Sequence, residues 1–233
     1  MALDKETGKE IWRQPLEGLR HTWGTPALVT KDLRTDLVLS LPYHLWGIDP
    51  ITGEQRWQCE GSQDNAAYSS VIVHEDVVYV TGGRAGGTVA VRAGGEGEVS
   101  QTLRLWESGR SGGSASPIYH GDRLYWINND TAYSIDAKTG HMVYRTRLAR
   151  GAPIKGPLNG GLTEASPVVS GDTMFQLKRN GEMIIIQLGD QLNELPRSRF
   201  TGGGEFVGTP AISKGDMFVR STKHLYCVGK SGD

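Results

Sequence analysis

Short apolar runs of strand length recur along the whole chain, each followed by a tight polar turn, and no stretch keeps the 3.6-residue period of an amphipathic helix. Five runs open on the same kind of anchor: Thr25-Pro26-Ala27-Leu28, Ser70-Val71-Ile72-Val73, Ser116-Pro117-Ile118-Tyr119, Ser166-Pro167-Val168-Val169 and Thr209-Pro210-Ala211-Ile212. Successive anchors lie 45, 46, 50 and 43 residues apart. In step with the last four fall Tyr79, Tyr125, Phe175 and Phe218. Between anchor and aromatic sits a turn, His74-Glu75-Asp76, His120-Gly121-Asp122, Ser170-Gly171-Asp172 or Lys214-Gly215-Asp216, which reads as a hairpin joining two strands. The first copy has about five extra residues there, Lys31 to Thr35, and the pattern predicts a longer exposed turn. A period of this length fits four-stranded blades arranged by radial repetition.

A second element recurs three times. Leu3-Asp4-Lys5-Glu6-Thr7-Gly8 leads to Trp12, Ile48-Asp49-Pro50-Ile51-Thr52-Gly53 to Trp57, and Ile135-Asp136-Ala137-Lys138-Thr139-Gly140 to Tyr144. Each predicts a strand, a turn and an outer strand bearing a large aromatic. The short Asp side chain accepts turn N–H groups and the Gly supplies a left-handed backbone without steric cost. Burying one Trp removes about 200 Å² from water, at most about 5 kcal/mol, which is enough to dock one blade on the next. Two copies depart from the pattern. Val89 to Glu98 replaces the Asp turn and Trp106 arrives late, while the strand from Glu182 to Leu188 is followed only by Phe200 as an outer aromatic.

Composition narrows the classes. Lys and Arg number 25 against 26 Asp and Glu, a formal charge of -1, so the basic footprint of a nucleic-acid binder is missing. No apolar run approaches transmembrane length, and membrane insertion is not expected. The 32 Gly residues are about twice the usual ~7% and imply many tight turns. Two cysteines, Cys59 and Cys227, cannot form a disulfide framework or a four-thiolate zinc site. Both are expected as free thiols, with Cys227 packed in a sheet. The first residues carry no basic and apolar leader, so as written nothing targets the chain for export.

The Asp-x-x-Thr-Gly-x-x-x-Trp repeats resemble the tryptophan-docking blades of quinoprotein-type β-propellers, the pyrroloquinoline quinone (PQQ) repeat family. The resemblance covers nearly the whole chain. Ala90 to Trp106 and the ending Lys223 to Lys230 are further similar to a planctomycete-like subgroup. It implies one all-β propeller domain over 1–233, with four-stranded antiparallel blades at about 24–61, 66–110, 113–150 and 163–201. A fifth, 207–229, either takes the strand at 9–14 and closes a five-bladed ring or belongs to a larger propeller of seven or eight blades. The second alternative is preferred, and with it an extracytoplasmic compartment. Trp12, Trp57, Trp106 and Tyr144 are expected to dock blades. The family's redox members imply PQQ, a calcium ion and often a vicinal cysteine pair, yet no Cys-Cys pair exists here and no Asp, Glu and Asn cluster has hard-cation spacing. No cofactor and no metal are expected, with PQQ and calcium the alternative.

Ligands of propellers meet the rim that carries the loops between second and third strands and the links between blades. The candidate binding residues there are His21, Trp23, Tyr43, His44, Tyr68, Arg84, Arg110, Asn128, Asn129, Arg179, Asn180 and Glu205. The same residues also suit plain solvated turns. Gly82 to Gly87 lacks the Lys-Ser/Thr and helix of a phosphate loop. No Gly-x-Ser-x-Gly elbow is present, and the six His are not spaced as helical metal ligands. The function expected is therefore a non-enzymatic binding or scaffolding propeller that presents rim loops to a protein or glycan, with a fragment of a PQQ-dependent dehydrogenase as the alternative. Oligomeric state is not readable from the sequence.

Overall fold

The structure is a computed structural model, and it describes residues 1–15, 21–83, 86–109, 113, 115–128, 130–149 and 164–229. Among them every regular element is a β-strand, so no helix is long and apolar enough to cross a membrane. The chain divides into two compact units, Met1–Ser116 with Lys138–Gly140, and Pro117–Ala137 with His141–Asp233.

The first unit holds a two-stranded sheet of Ala2–Leu3 and Glu10–Trp12. A five-stranded sheet follows, with Ala27–Lys31, Arg34–Leu41, His44–Ile48 and Gln55–Glu60 paired antiparallel in chain order. Its fifth strand, Gly97–Glu98, comes from the aberrant second repeat and runs parallel to the outer strand, with Gly97 opposite Trp57. A four-stranded sheet of Ile72–His74, Val77–Thr81, Thr88–Arg92 and Arg104–Ser108 completes the unit. Val38, Leu45, Trp57, Val78, Val80, Val89 and Val91 from these two sheets share one buried core.

The second unit repeats the arrangement. Ile118–His120, Arg123–Asn128, Thr131–Asp136 and Met142–Arg147 form one sheet, and Val168–Ser170, Thr173–Leu177, Glu182–Gln187 and Asn193–Arg199 form another. Ala211–Ser213, Asp216–Arg220 and Leu225–Val228 make a three-stranded sheet. Tyr125, Ile127, Met174, Ile184 and Ile186 pack together between the first pair of sheets. Leu177, Met183, Phe206 and Val219 do so between the second pair.

The anchors register neighbouring sheets. Thr25 N–H donates to Ser70 Oγ at 3.2 Å, Ser70 N–H to Ser116 Oγ at 2.8 Å, and Ser166 N–H to Thr209 Oγ1 at 3.0 Å. Pro26, Pro117, Pro167 and Pro210 come just ahead of the inner strands, where a missing N–H breaks no ladder, while the Ser70 anchor has Val71 in that place.

The Asp-to-Gly turns have the expected local chemistry. Asp49 Oδ1 accepts Ile51 N–H at 2.7 Å and Thr52 N–H at 3.2 Å, and Gly53 N–H reaches Asp49 O at 2.9 Å. The bond from Ile51, with help from Thr52 and Arg56, holds the Asp49 carboxyl below its usual range. Gly53 sits at φ 78°, and a Cβ there would lie 2.5 Å from the Trp12 ring, whose Nε1 donates to Pro50 O at 3.0 Å. Gly140, at φ 71°, would likewise place a Cβ 2.6 Å from Trp106. The motif glycine therefore serves both the turn and the ring that lies on it.

Two expectations are corrected. The extra residues of the first repeat lengthen strands instead of the turn, because Thr30 pairs with Thr35 and Lys31 with Arg34, leaving a tight turn with Asp32 at φ 54°. The polar Asp36 can enter the longer strand because Arg34 and Arg56 neutralise it. Cys227 is exposed, not packed, because Leu225–Val228 is bonded to Asp216–Arg220 on one side and, among the described residues, has no strand on the other. Cys59 is a buried free thiol, and burial pushes its pKa up.

Candidate functional site: an aromatic rim and an ionic rim

In the first unit, the links that precede two successive anchors run side by side. Thr22 and Ala67 form a parallel bridge, Trp23 N–H donates to Ala67 O at 2.8 Å, and Ala67 N–H donates to His21 O at 3.0 Å. Trp23 and Tyr68 each stand two residues before their anchors, so the repeat brings their rings together. The rings stack at 4.9 Å between centroids and 8° between planes. His21 lies 5.5 Å from the Trp23 ring, tilted by 32°. Trp23 is nonetheless 59% exposed. Gly24 makes this approach possible, since a Cβ would collide with the Ser69 carbonyl.

Tyr43 belongs to the same rim. Its N–H donates to Asp64 O at 3.1 Å and its carbonyl accepts Gly61 N–H at 2.7 Å, which ties it to the segment ending in Tyr68. Tyr43 and His21 both hold φ 64°, a left-handed conformation that costs an aromatic residue on the order of 1 kcal/mol or more and is held by these main-chain bonds. Gly83 closes the side of the site, since a Cβ there would be 2.7 Å from both Asp64 Oδ2 and the Tyr68 ring. His44 faces inward, half-buried, and its Nδ1 lacks a partner, as does Trp46 Nε1.

The second unit has a different rim. Arg179 reaches Glu205 at 3.2 Å and Glu164 at 3.6 Å, its carbonyl accepts Phe206 N–H at 3.0 Å, and its Nε is buried without a partner. Asn180 Oδ1 accepts Glu182 N–H at 2.9 Å while its Nδ2 is unpaired. Asn128 ends a strand opposite Thr131 and does not join this group. Arg84, Arg110 and Asn129 lie outside the described residues.

Sequence reasoning missed the ions beneath this rim. The Lys178 side chain is 5% exposed and its Nζ is 2.6 Å from Asp130 Oδ1 and 3.6 Å from Glu182 Oε2. Glu182 also meets Arg197 at 3.3 Å and Arg199 at 3.7 Å. Gln176 is fully buried beside them with Oε1 unpaired, while its Nε2 donates to Ala165 O. The alternation of Gln176 and Lys178 in an otherwise apolar strand was the available signal. Pairing across strands decides the rest.

Among the aromatics expected to dock blades, Trp57 is 1% exposed and its Nε1 donates to Asp36 Oδ2 at 2.8 Å. Trp12 and Trp106 lie on Gly53 and Gly140, and Trp106 also meets Tyr79 at 6.0 Å. Tyr144 packs at 6.4 Å from Tyr125, and burial raises its pKa beyond its normal range. For a quinone with calcium, the described residues include no group of three His, Cys, Asp or Glu able to hold a metal, and the two cysteines are not adjacent.

Residues 1–104 match a family described as outer membrane protein assembly factor BamB. In three dimensions the chain is similar to BamB from Moraxella catarrhalis, with a TM-score of 0.72 at 14% identity over 97% of this chain and 64% of that one. It is similar to a quinohemoprotein alcohol dehydrogenase from Comamonas testosteroni, with a TM-score of 0.65 at 11% identity over 93% of this chain and 48% of the other. A quinohemoprotein alcohol dehydrogenase from Pseudomonas putida gives 0.64 at 13%, over 92% of this chain and 41% of the enzyme. The chain thus spans less than two thirds of these proteins. No curated protein matches it by sequence. With its repeats and sheets, the chain has the all-β propeller fold of these proteins, and its first 104 residues match that family's model.

Proposed function

We propose that this chain is a non-enzymatic binding scaffold, in which sheets hold rim loops rigid and the rim meets a protein or glycan. The observation that carries the reading is the exposed Trp23 ring, stacked on Tyr68 and fixed by main-chain bonds at the rim. A large exposed aromatic on a rigid support suits recognition, since little conformational freedom is lost when a partner arrives. Similarity to a BamB structure favours a protein among the partners and an extracytoplasmic setting. The stretch from Ala90 to Trp106 supports placing the chain in the planctomycete-like subgroup.

The second reading, part of a PQQ-dependent dehydrogenase, rests on the similarity to quinohemoprotein dehydrogenases. Adding PQQ and Ca²⁺ to the purified chain separates the two. The scaffold reading expects an unchanged thermal midpoint and no dye-linked alcohol oxidation. A calcium-dependent rise in the midpoint together with oxidation would overturn it.

A further inference from the structure

We propose that the His21, Trp23 and Tyr68 platform binds a glycan by stacking a β-linked gluco-configured pyranose ring on the exposed surface of the Trp23 indole. The proposal rests on the rim being the binding face and narrows the partner there to a sugar.

Tyr68 covers one face of the indole at 4.9 Å and 8°, His21 approaches the same ring at 5.5 Å and 32°, and the side chain stays 59% exposed, so much of the indole still reaches solvent. The exposed ring surface is flat and carries the negative lobe of the ring quadrupole. A β-linked gluco-configured pyranose has all its ring substituents equatorial, so each of its faces offers a set of axial C–H bonds with partial positive charge. The two surfaces match in shape and in sign.

The polar atoms at the edge fit as well. The indole Nε1–H, the Tyr68 hydroxyl and the His21 ring nitrogens have no hydrogen-bond partner among the described residues. Equatorial hydroxyls of a stacked sugar project sideways, where such donors and acceptors can meet them. The platform is also fixed in advance. Trp23 N–H to Ala67 O, Ala67 N–H to His21 O and the close approach at Gly24 hold the link in place.

Two features argue against a peptide here. A proline-rich helix needs a slot between aromatic walls, and the stack at 4.9 Å closes the space between Trp23 and Tyr68. A protein hot spot is bordered by residues that exclude water, whereas the adjoining Thr22, Gln63 and Asn65 are polar and exposed.

Saturation-transfer NMR on the full chain tests this with cellohexaose and chitohexaose as probes. Transfer to the ring C–H protons of at least one is expected, with Trp23→Ala weakening binding about tenfold or more at an unchanged thermal midpoint. Tyr68→Phe, which keeps the stack and loses the hydroxyl, should weaken it by a smaller factor. No transfer to either sugar overturns the proposal, as does equal transfer in Trp23→Ala. Binding of a proline decapeptide at Trp23 in place of the sugars also overturns it. That last result would leave the rim-scaffold reading standing, whereas a calcium-dependent quinone shift would remove that reading and leave the sugar result to stand by itself.

Discussion

The two rims come from the same repeat and are built on opposite chemistry. In the first unit the positions two residues before the anchors are Trp23 and Tyr68, stacked rings of which the first is exposed and the second half-buried. In the second unit the equivalent position before Ser166 is Glu164, paired with Arg179 above a buried set of ions. The lesson is that the repeat fixes where a rim side chain stands and leaves its chemistry free. Charges beneath the second rim are committed to one another, so they hold a loop in place. The rings of the first rim have unspent surface and free polar atoms, so they are available to a partner.

Four changes sharpen the contrast, beginning with the core of the first unit. Trp57→Ala should destabilise by about 3 to 5 kcal/mol in denaturant melts, because it empties a core site and leaves Asp36 without its indole donor. A loss below ~1 kcal/mol would mean that this ring is not part of the core. Glu182→Gln comes next, at about 3 kcal/mol, since it strips the buried Lys178 and Arg197 of a shared carboxylate. Lys178 keeps Asp130, which limits the damage. An unchanged melt would show that these ions are more hydrated than their burial implies.

A pH series probes the first unit alone. Burial alone would raise the pKa of Asp36, but hydrogen bonds from Arg56, Arg34 and Trp57 outweigh it and hold the carboxyl below its usual range. A carboxyl lowered by folding stabilises the protein above its unfolded value, near 3.9, and that stability is lost as pH falls through the lower folded value. The midpoint should therefore drop below about pH 4. Asp36→Asn should be less stable at neutral pH and should show a shallower acid loss. An equal slope in both proteins would remove Asp36 from the account. Trp23→Ala gives the smallest effect, within about 0.5 kcal/mol of wild type, because its side chain is mostly exposed.

How far the sequence revealed this depends on whether the needed contact is local or made by pairing. The 45-residue step between Thr25 and Ser70 was plain in the sequence, and in the structure it becomes a hydrogen bond between the two anchors. The Asp49 to Gly53 turn was legible too, because an Asp accepting N–H groups two and three residues ahead is a local arrangement. His21, Trp23 and Tyr68 were named as rim residues, but their stacking needed the bridge between Thr22 and Ala67. The parallel strand Gly97–Glu98 was hidden because two residues carry no alternation to read. Lys178 and Glu182 were hidden for another reason. Charges are taken for surface residues until cross-strand register shows them sharing one buried space.

The central claim, that the aromatic rim is the binding face, is tested most directly by site-specific photocrosslinking in the native cell. A benzophenone side chain is placed at Tyr43, on the rim, or at His74, in the first-to-second-strand turn at the opposite end of its sheet. The account predicts discrete adducts of one protein or glycan species from position 43, none from position 74, and loss of the position-43 adduct when Trp23→Ala is added. Adducts from position 74 alone, or a position-43 adduct indifferent to Trp23, would contradict it.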